Sequence, residues 1–153
     1  MTLRETRKTI ASVEDICLKE GVRLTAKKKE IFEVLLSGKK ALSAYEIAHE
    51  LKKKNKISTP VMSIYRALDF FQERGVVHKI ISLNRYTACS HISCDHKHEM
   101  PRLAICTDCY HVDELSCYEP IKKALTDSIN NIDFDLRTEH VELLGLCTFC
   151  KAK

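Results

Sequence analysis

Apolar residues return every third or fourth position through the first 75 residues, which predicts four helices in succession. Ile10, Val13, Ile16 and Cys17 lie on one face of the first, and Gly21 ends it. Thr25 caps the second, whose inner face is Ile31, Val34 and Leu35, with Ser37-Gly38 as its exit. Ser43-Ala-Tyr-Glu46 is a capping box: the serine hydroxyl accepts from the Glu46 amide while the glutamate reaches back to the serine N–H. It opens a third helix with Ile47, Ala48 and Leu51 inside. A fourth starts at Thr59-Pro60, with the proline at the first helical position, and runs through Ile64, Leu68 and Phe71 to Gly75.

After Gly75 the pattern becomes strand-like. Val76 to Ile81 and Arg85 to Cys89 flank a polar turn at Ser82 to Asn84. Helices followed by a two-stranded ribbon suggest a winged helix, with the fourth helix placed to enter a major groove and the ribbon beside it on the backbone. The plainer alternative is a small helical domain with a hairpin. The stretch from Ser90 to Arg102 has no clear period and reads as a ligand-bearing linker. Beyond it come a strand at Leu103 to Ile105, another at His111 to Leu115, a helix from Glu119 to Ile129, and strand candidates at Phe134 to Val141 and Leu143 to Leu146. The fold class expected is α+β, an N-terminal winged-helix domain followed by a small zinc-tied α/β domain. The expected boundaries are 1–89 for the first domain with its hinge and 90–153 for the second.

Charge separates the same two halves. Residues 1–82 hold 17 Lys and Arg against 10 Asp and Glu, whereas 83–153 hold 8 against 11, so the overall +4 conceals a basic half and a mildly acidic one. Runs such as Lys27-Lys28-Lys29 are individually ordinary solvated helix faces, but their concentration in one half suits a polyanion. No apolar run approaches the roughly 20 residues that cross a bilayer. Eight cysteines behind a charged N-terminus without an apolar signal core suggest a soluble protein of the reducing cytoplasm, its thiols serving as metal ligands or small buried hydrophobes.

The cysteine spacing is the sharpest chemical signal. Cys106-x-x-Cys109 and Cys147-x-x-Cys150 supply two thiolate pairs, each from one tight loop, and together they form a closed tetrahedral zinc site with no open position for water or substrate. Two unrelated pairs or disulfides are the alternative. A thiol oxidoreductase would need a reactive pair at a strand-to-helix turn within a βαβ unit, and no such context exists. No constellation of nucleophile, base and oxyanion donors is visible, so no enzyme is expected.

Ordered motifs then extend along nearly the whole chain: Arg23-Leu-Thr25, Ser43-Ala-Tyr-Glu-Ile47, Ser63-Ile-Tyr-Arg-Ala-Leu-Asp-Phe70, Gly75-Val-Val-His-Lys79, Asn84-Arg-Tyr86 through Cys89, and the two cysteine pairs. In these the chain resembles the ferric uptake regulator superfamily of bacterial metalloregulators, and most closely its zinc uptake regulators. It departs at Ser63-Ile64, where relatives often carry threonine then valine. The resemblance implies a homodimer that binds double-stranded operator DNA when metal-loaded, with neither a membrane nor a small-molecule substrate as partner. Repression of zinc-uptake genes is the implied function.

The resemblance also implies a second, regulatory zinc site at the hinge, giving two zinc ions per subunit. His78, Cys89 and Glu114 match the family pattern, and a linker histidine completes the set, His98 ahead of His96. One thiolate, two imidazoles and a carboxylate suit zinc better than manganese or ferrous iron. Cys17 fits a buried apolar position; Cys94, Cys117, His91 and His111 are either accessory ligands or surface residues. His140 stands where related iron and manganese sensors often place a ligand and is a candidate for a further site. For DNA, Arg66 is the expected reader of a guanine edge, with Tyr45, Ser63 and Tyr65 beside it; Tyr65 packs under the wing or touches phosphate. The rival readings are a regulator of the same architecture sensing iron, manganese, nickel or peroxide, and a zinc-storage or delivery protein without a DNA role.

Overall fold

The computed structural model describes residues 3–38, 40–56, 58–92, 102–115, 119–130, 132, 134 and 140–152. Four helices come first: α1 (Leu3–Lys19), α2 (Ala26–Leu36), α3 (Ala44–Asn55) and α4 (Val61–Gln72). Each begins or ends where local chemistry requires. Thr25 caps α2 through the Lys28 amide, and both hydrogen bonds of the Ser43/Glu46 capping box are present on α3. Pro60 is the N-cap of α4 rather than its first helical residue, since its ψ of 132° is still extended. Gly75, at φ +64°, turns the chain out of α4 in the left-handed conformation that favours glycine.

The ribbon β1 (Val77–Ile80) and β2 (Arg85–Ala88) is antiparallel, pairing Val77 with Ala88 and Ile80 with Arg85. It is buried on both faces: Val77 and Tyr86 pack into the helical core, while Ile80, on the opposite face, packs toward the strands that follow. Helices and ribbon share a core of Val13, Cys17, Phe32, Leu35, Ile47, Leu51, Ile64, Leu68, Phe71 and Tyr86, in which the Phe32 and Phe71 rings lie 5.0 Å apart. This is the winged helix that the periodicity predicts. Cys17, only 1% exposed, is part of its packing, and burial raises its thiol pKa.

The remaining elements are β3 (Arg102–Cys106), β4 (Val112–Leu115), α5 (Glu119–Asn130), β5 (Val141–Gly145) and the single-turn α6 (Thr148–Lys151). β3 is central, antiparallel to β4 and parallel to β5. Where two strand candidates are expected between Phe134 and Leu146, the described residues form the one strand β5, which crosses Glu142 without a break. A second apolar cluster joins Leu103, Ile105 and Val112 of this sheet to Ala41 and Ile80 of the first ninety residues. The backbone adds to that joint: the Ala41 amide donates to the Tyr110 carbonyl at 2.8 Å, and Lys40 bridges to His111.

Candidate metal centres

The four paired cysteines converge at one end of the sheet. Cys106 ends β3, Cys109 sits in the following turn, Cys147 caps α6 and Cys150 lies within it. One ligand atom from each falls within 4.8 Å of all the others, and the Cys109 and Cys147 sulfurs are 3.7 Å apart. Thiolates about 2.3 Å from a tetrahedral zinc stand about 3.7 to 3.8 Å from one another, so this spacing is that of a zinc cage. The backbone holds the cage together from both sides. Tyr110 N–H donates to the Cys106 carbonyl at 3.0 Å, Thr107 N–H to Gly145 at 2.9 Å, and Cys150 N–H to Cys147 at 3.1 Å.

Electrostatics favour a cation there. The Cys109 and Cys147 amides pull the Cys106 thiol down to about 6, while its sulfur neighbours, Cys147 foremost, push Cys150 up to about 12. Backbone donors thus favour charge on Cys106, and the sulfurs around Cys150 oppose a further charge there. A divalent cation removes that conflict by neutralising several sulfurs at once.

The second centre lies where the wing meets the sheet. His78 comes from β1, Cys89 follows β2, and Glu114 belongs to β4; their ligand atoms lie within 4.8 Å of one another. Glu114 Oε1 is 3.6 Å from His78 Nε2 and 3.8 Å from Cys89 Sγ. Nitrogen, oxygen and sulfur ligands around tetrahedral zinc are spaced by about 3.3 to 3.8 Å. His78 Nε2 is buried and makes no hydrogen bond among the described residues, so a ring nitrogen points into the site with its lone pair or proton unmatched. This donor set fits zinc.

Glu114 is the pivot. Its side chain is 4% exposed, and burial would raise its carboxyl, yet the approach of His78, the Ser90 amide at 2.8 Å and His91 outweigh that and hold it at about 2. His91 Nδ1 stands 3.2 Å from the same Oε1, and the His91 amide donates to Cys89 Sγ at 3.4 Å. The structure thus brings His91 to the site, a residue the sequence leaves between ligand and decoration. The Cys89-x-His91 spacing is its only local signal. His96 and His98, together with Cys94 and Cys117, lie outside the described residues.

His140 is buried beside this centre, its ring 6.3 Å from that of His78, but its Nε2 is engaged with Glu142 Oε1 at 3.0 Å. Glu142 in turn accepts from the wing turn, from Ile81 N–H at 2.6 Å and Ser82 N–H at 3.1 Å. Burial tends to raise its carboxyl, and the bonds from Ser82, His140 and Ile81 lower it overall. His111 bridges to Lys40 and pairs with Asp113 at 3.1 Å.

The expected DNA-facing residues are distributed over α3 and α4. Tyr45 is 70% exposed on the first turn of α3, Arg66 is exposed on α4, and Ser63 is half-buried. Tyr65 packs edge-on to the buried Tyr86 of the wing, ring centres 6.5 Å apart, which is the packing alternative. The lysine runs are partly spoken for: Lys28 lies over the Phe70 ring at 3.3 Å, Lys29 pairs with Glu14, and Lys53 with Glu50 at 3.0 Å.

Comparison with known proteins agrees with this architecture. The model of the ferric uptake regulator family matches residues 19–144. The zinc uptake regulation protein of Escherichia coli K12 is 33% identical over 145 residues, spanning 95% of this chain and 82% of that one. Among solved structures, a zinc uptake regulator complexed with zinc and DNA superposes with a TM-score of 0.82 at 31% identity, covering 99% of this chain and 97% of the other. Holo XcZur superposes with a TM-score of 0.75 at 28% identity, over 97% and 99% of the two chains. The chain belongs to the ferric uptake regulator family.

Proposed function

We propose that this protein is a zinc-responsive transcriptional repressor of zinc-uptake genes that binds operator DNA as a zinc-loaded homodimer in the cytoplasm. The observation that carries this reading is the second metal centre, whose ligands come from both sides of the joint between the winged helix, residues 1–89, and the α/β domain, residues 90–153. A bound zinc ion supplies a cross-link between the two domains. His78 and Cys89 hold the wing end of that link and Glu114 the sheet end, with a histidine as fourth ligand. Shifting a conformer population from 1:99 to 99:1 takes about 5.5 kcal/mol of differential binding, within reach of three or four ligands split between two bodies.

The other centre has a different task. Cys106, Cys109, Cys147 and Cys150 offer four sulfurs and no open position, the chemistry of a structural zinc. The reading therefore takes two zinc ions per subunit. A thiolate in the regulatory set favours zinc over iron or manganese as the signal. The dimer draws support from β5 and its surroundings, where Leu143, Leu144, Leu146 and Phe149 are 46 to 84% exposed, apolar surface on both sides of an edge strand of the kind one subunit offers another. On DNA, Arg66 reads guanine from the major groove and Tyr45 supports it, while the basic half holds phosphate.

The test is fluorescence anisotropy of the purified protein, its four-cysteine site filled, on duplexes enriched from a random library, as free zinc is buffered upward. Tight, sequence-selective binding should appear as a second zinc equivalent binds, and Arg66→Ala should abolish the selectivity while nonspecific binding persists. Selective binding that ignores zinc, or that responds better to iron or manganese, would overturn the sensor assignment.

A further inference from the structure

The first turn of α4 carries an apolar residue that the fold does not use. α4 buries Ile64, Ala67, Leu68 and Phe71, and Val61 and Tyr65 pack against the same core, yet Met62 is 65% exposed. Exposure alone says little, since single apolar side chains on a surface are ordinary. Position says more. At about 100° per residue, Met62 and Arg66 are neighbours one turn apart, about 40° from each other in azimuth and opposite the buried stripe. Side chains on a helix lean toward its N-terminus, so Met62 leads Arg66 into whatever α4 meets. Beside Arg66, a cleft of about 400 Å³ between α2 and α4 carries Lys27 and Lys28 together with Asp69 and Glu73.

In helix-turn-helix docking the N-terminal residues of the recognition helix reach base edges, and the apolar feature on the floor of the major groove is the thymine C5 methyl. We propose that Met62 is a specificity-determining residue that packs its thioether chain on a thymine methyl close to the guanine read by Arg66. Four residues of helix rise by about 6 Å and a base pair by about 3.4 Å, which places that thymine one or two base pairs from the guanine. This inference rests on the DNA-binding reading above.

The test uses a duplex selected from a random library by the zinc-loaded wild-type protein. Each thymine is replaced in turn by deoxyuridine, which deletes only the methyl, and binding is compared for wild type, Met62→Ala and Met62→Leu. The guanine is located as the one whose 7-deaza analogue weakens wild type but not Arg66→Ala. Loss of one methyl, one or two base pairs from it, should weaken wild type by about fourfold, the scale of one buried methylene. Met62→Leu should keep that dependence and Met62→Ala should lose it, with other thymines affecting all three proteins alike. Selective binding in which Met62→Ala feels every deoxyuridine as wild type does sinks this inference and leaves the repressor standing. Failure of the wild type to select any sequence removes the repressor reading, and this inference with it.

Discussion

At the scale of single residues, the mixed centre depends on groups that are costly to bury without a purpose. Cys89 is 4% exposed and the Glu114 side chain equally so, and the latter stays ionised with a pKa of about 2. Replacing Cys89 with serine should lower zinc content from two to one per chain by elemental analysis, with the helical circular dichroism unchanged, and reduce operator affinity at high zinc to the nonspecific level. A variant that retains two zinc ions would place the second metal elsewhere. How far such residues are legible in sequence follows from how far their meaning is local. The Cys-x-x-Cys pairs announce themselves, because each pair is made within one turn. His91 does not, since it matters only once the fold carries Glu114 of β4 to within 3.2 Å of it.

At the scale of elements, α3 shows how one carboxylate serves both a helix and a joint. Glu46 closes the capping box, accepting from Ser43 N–H at 2.8 Å, and it also pairs with Arg85 of β2. Arg85 in turn donates to the Ala41 carbonyl at 3.1 Å and lies 3.6 Å over the Tyr110 ring. Partial burial would raise the Glu46 carboxyl, but the Ser43 and Arg85 bonds prevail and lower it below its ordinary 4.5. A carboxyl whose pKa is depressed by folding stabilises the fold above its unfolded value, and that contribution is lost as pH falls through the folded value. Urea midpoints measured from pH 7 down to pH 3 should therefore fall more steeply for the wild type than for Glu46→Gln, the variant being the less stable at pH 7. Parallel profiles would mean that the ionised carboxylate contributes nothing. The capping box is plain in Ser43-Ala-Tyr-Glu46 because both partners lie three residues apart. Its bond to Arg85 is not, and neither is the short α6, a four-residue turn shaped by the second cysteine pair rather than by any apolar period.

At the scale of the whole molecule, the two apolar clusters differ in how they are supported. The helical cluster is large and self-contained; among the described residues the second has five buried members, two of which, Ala41 and Ile80, come from the other half. The four-sulfur cage at the end of that sheet would add to its stability when it holds zinc. Structural zinc sites contribute about 10–16 kcal/mol of apparent binding free energy, comparable with or above the roughly 5–15 kcal/mol that stabilises a whole domain. In Cys150→Ser, hydrogen exchange should show Leu103, Ile105 and Val112 amides losing protection while Phe32 and Leu68 keep theirs. Uniform loss would mean that the two halves fold as one unit.

The grip of Glu142 on the wing turn has a mechanical meaning. A body pinned at two places keeps one freedom, rotation about the line between the pins, and a third pin off that line removes it. The carboxylate clasp on Ile81 and Ser82 is one pin, and the hydrogen bond from Ala41 to Tyr110 is another. Ligation of a metal through His78, Cys89 and Glu114 would supply a further one. Emptying that centre would leave the joint held by the carboxylate clasp, by the Ala41 bond, by Arg85 on the Tyr110 ring and by the seat of Ile80 against Leu103, so metal release would loosen one edge of the joint and leave the rest in place.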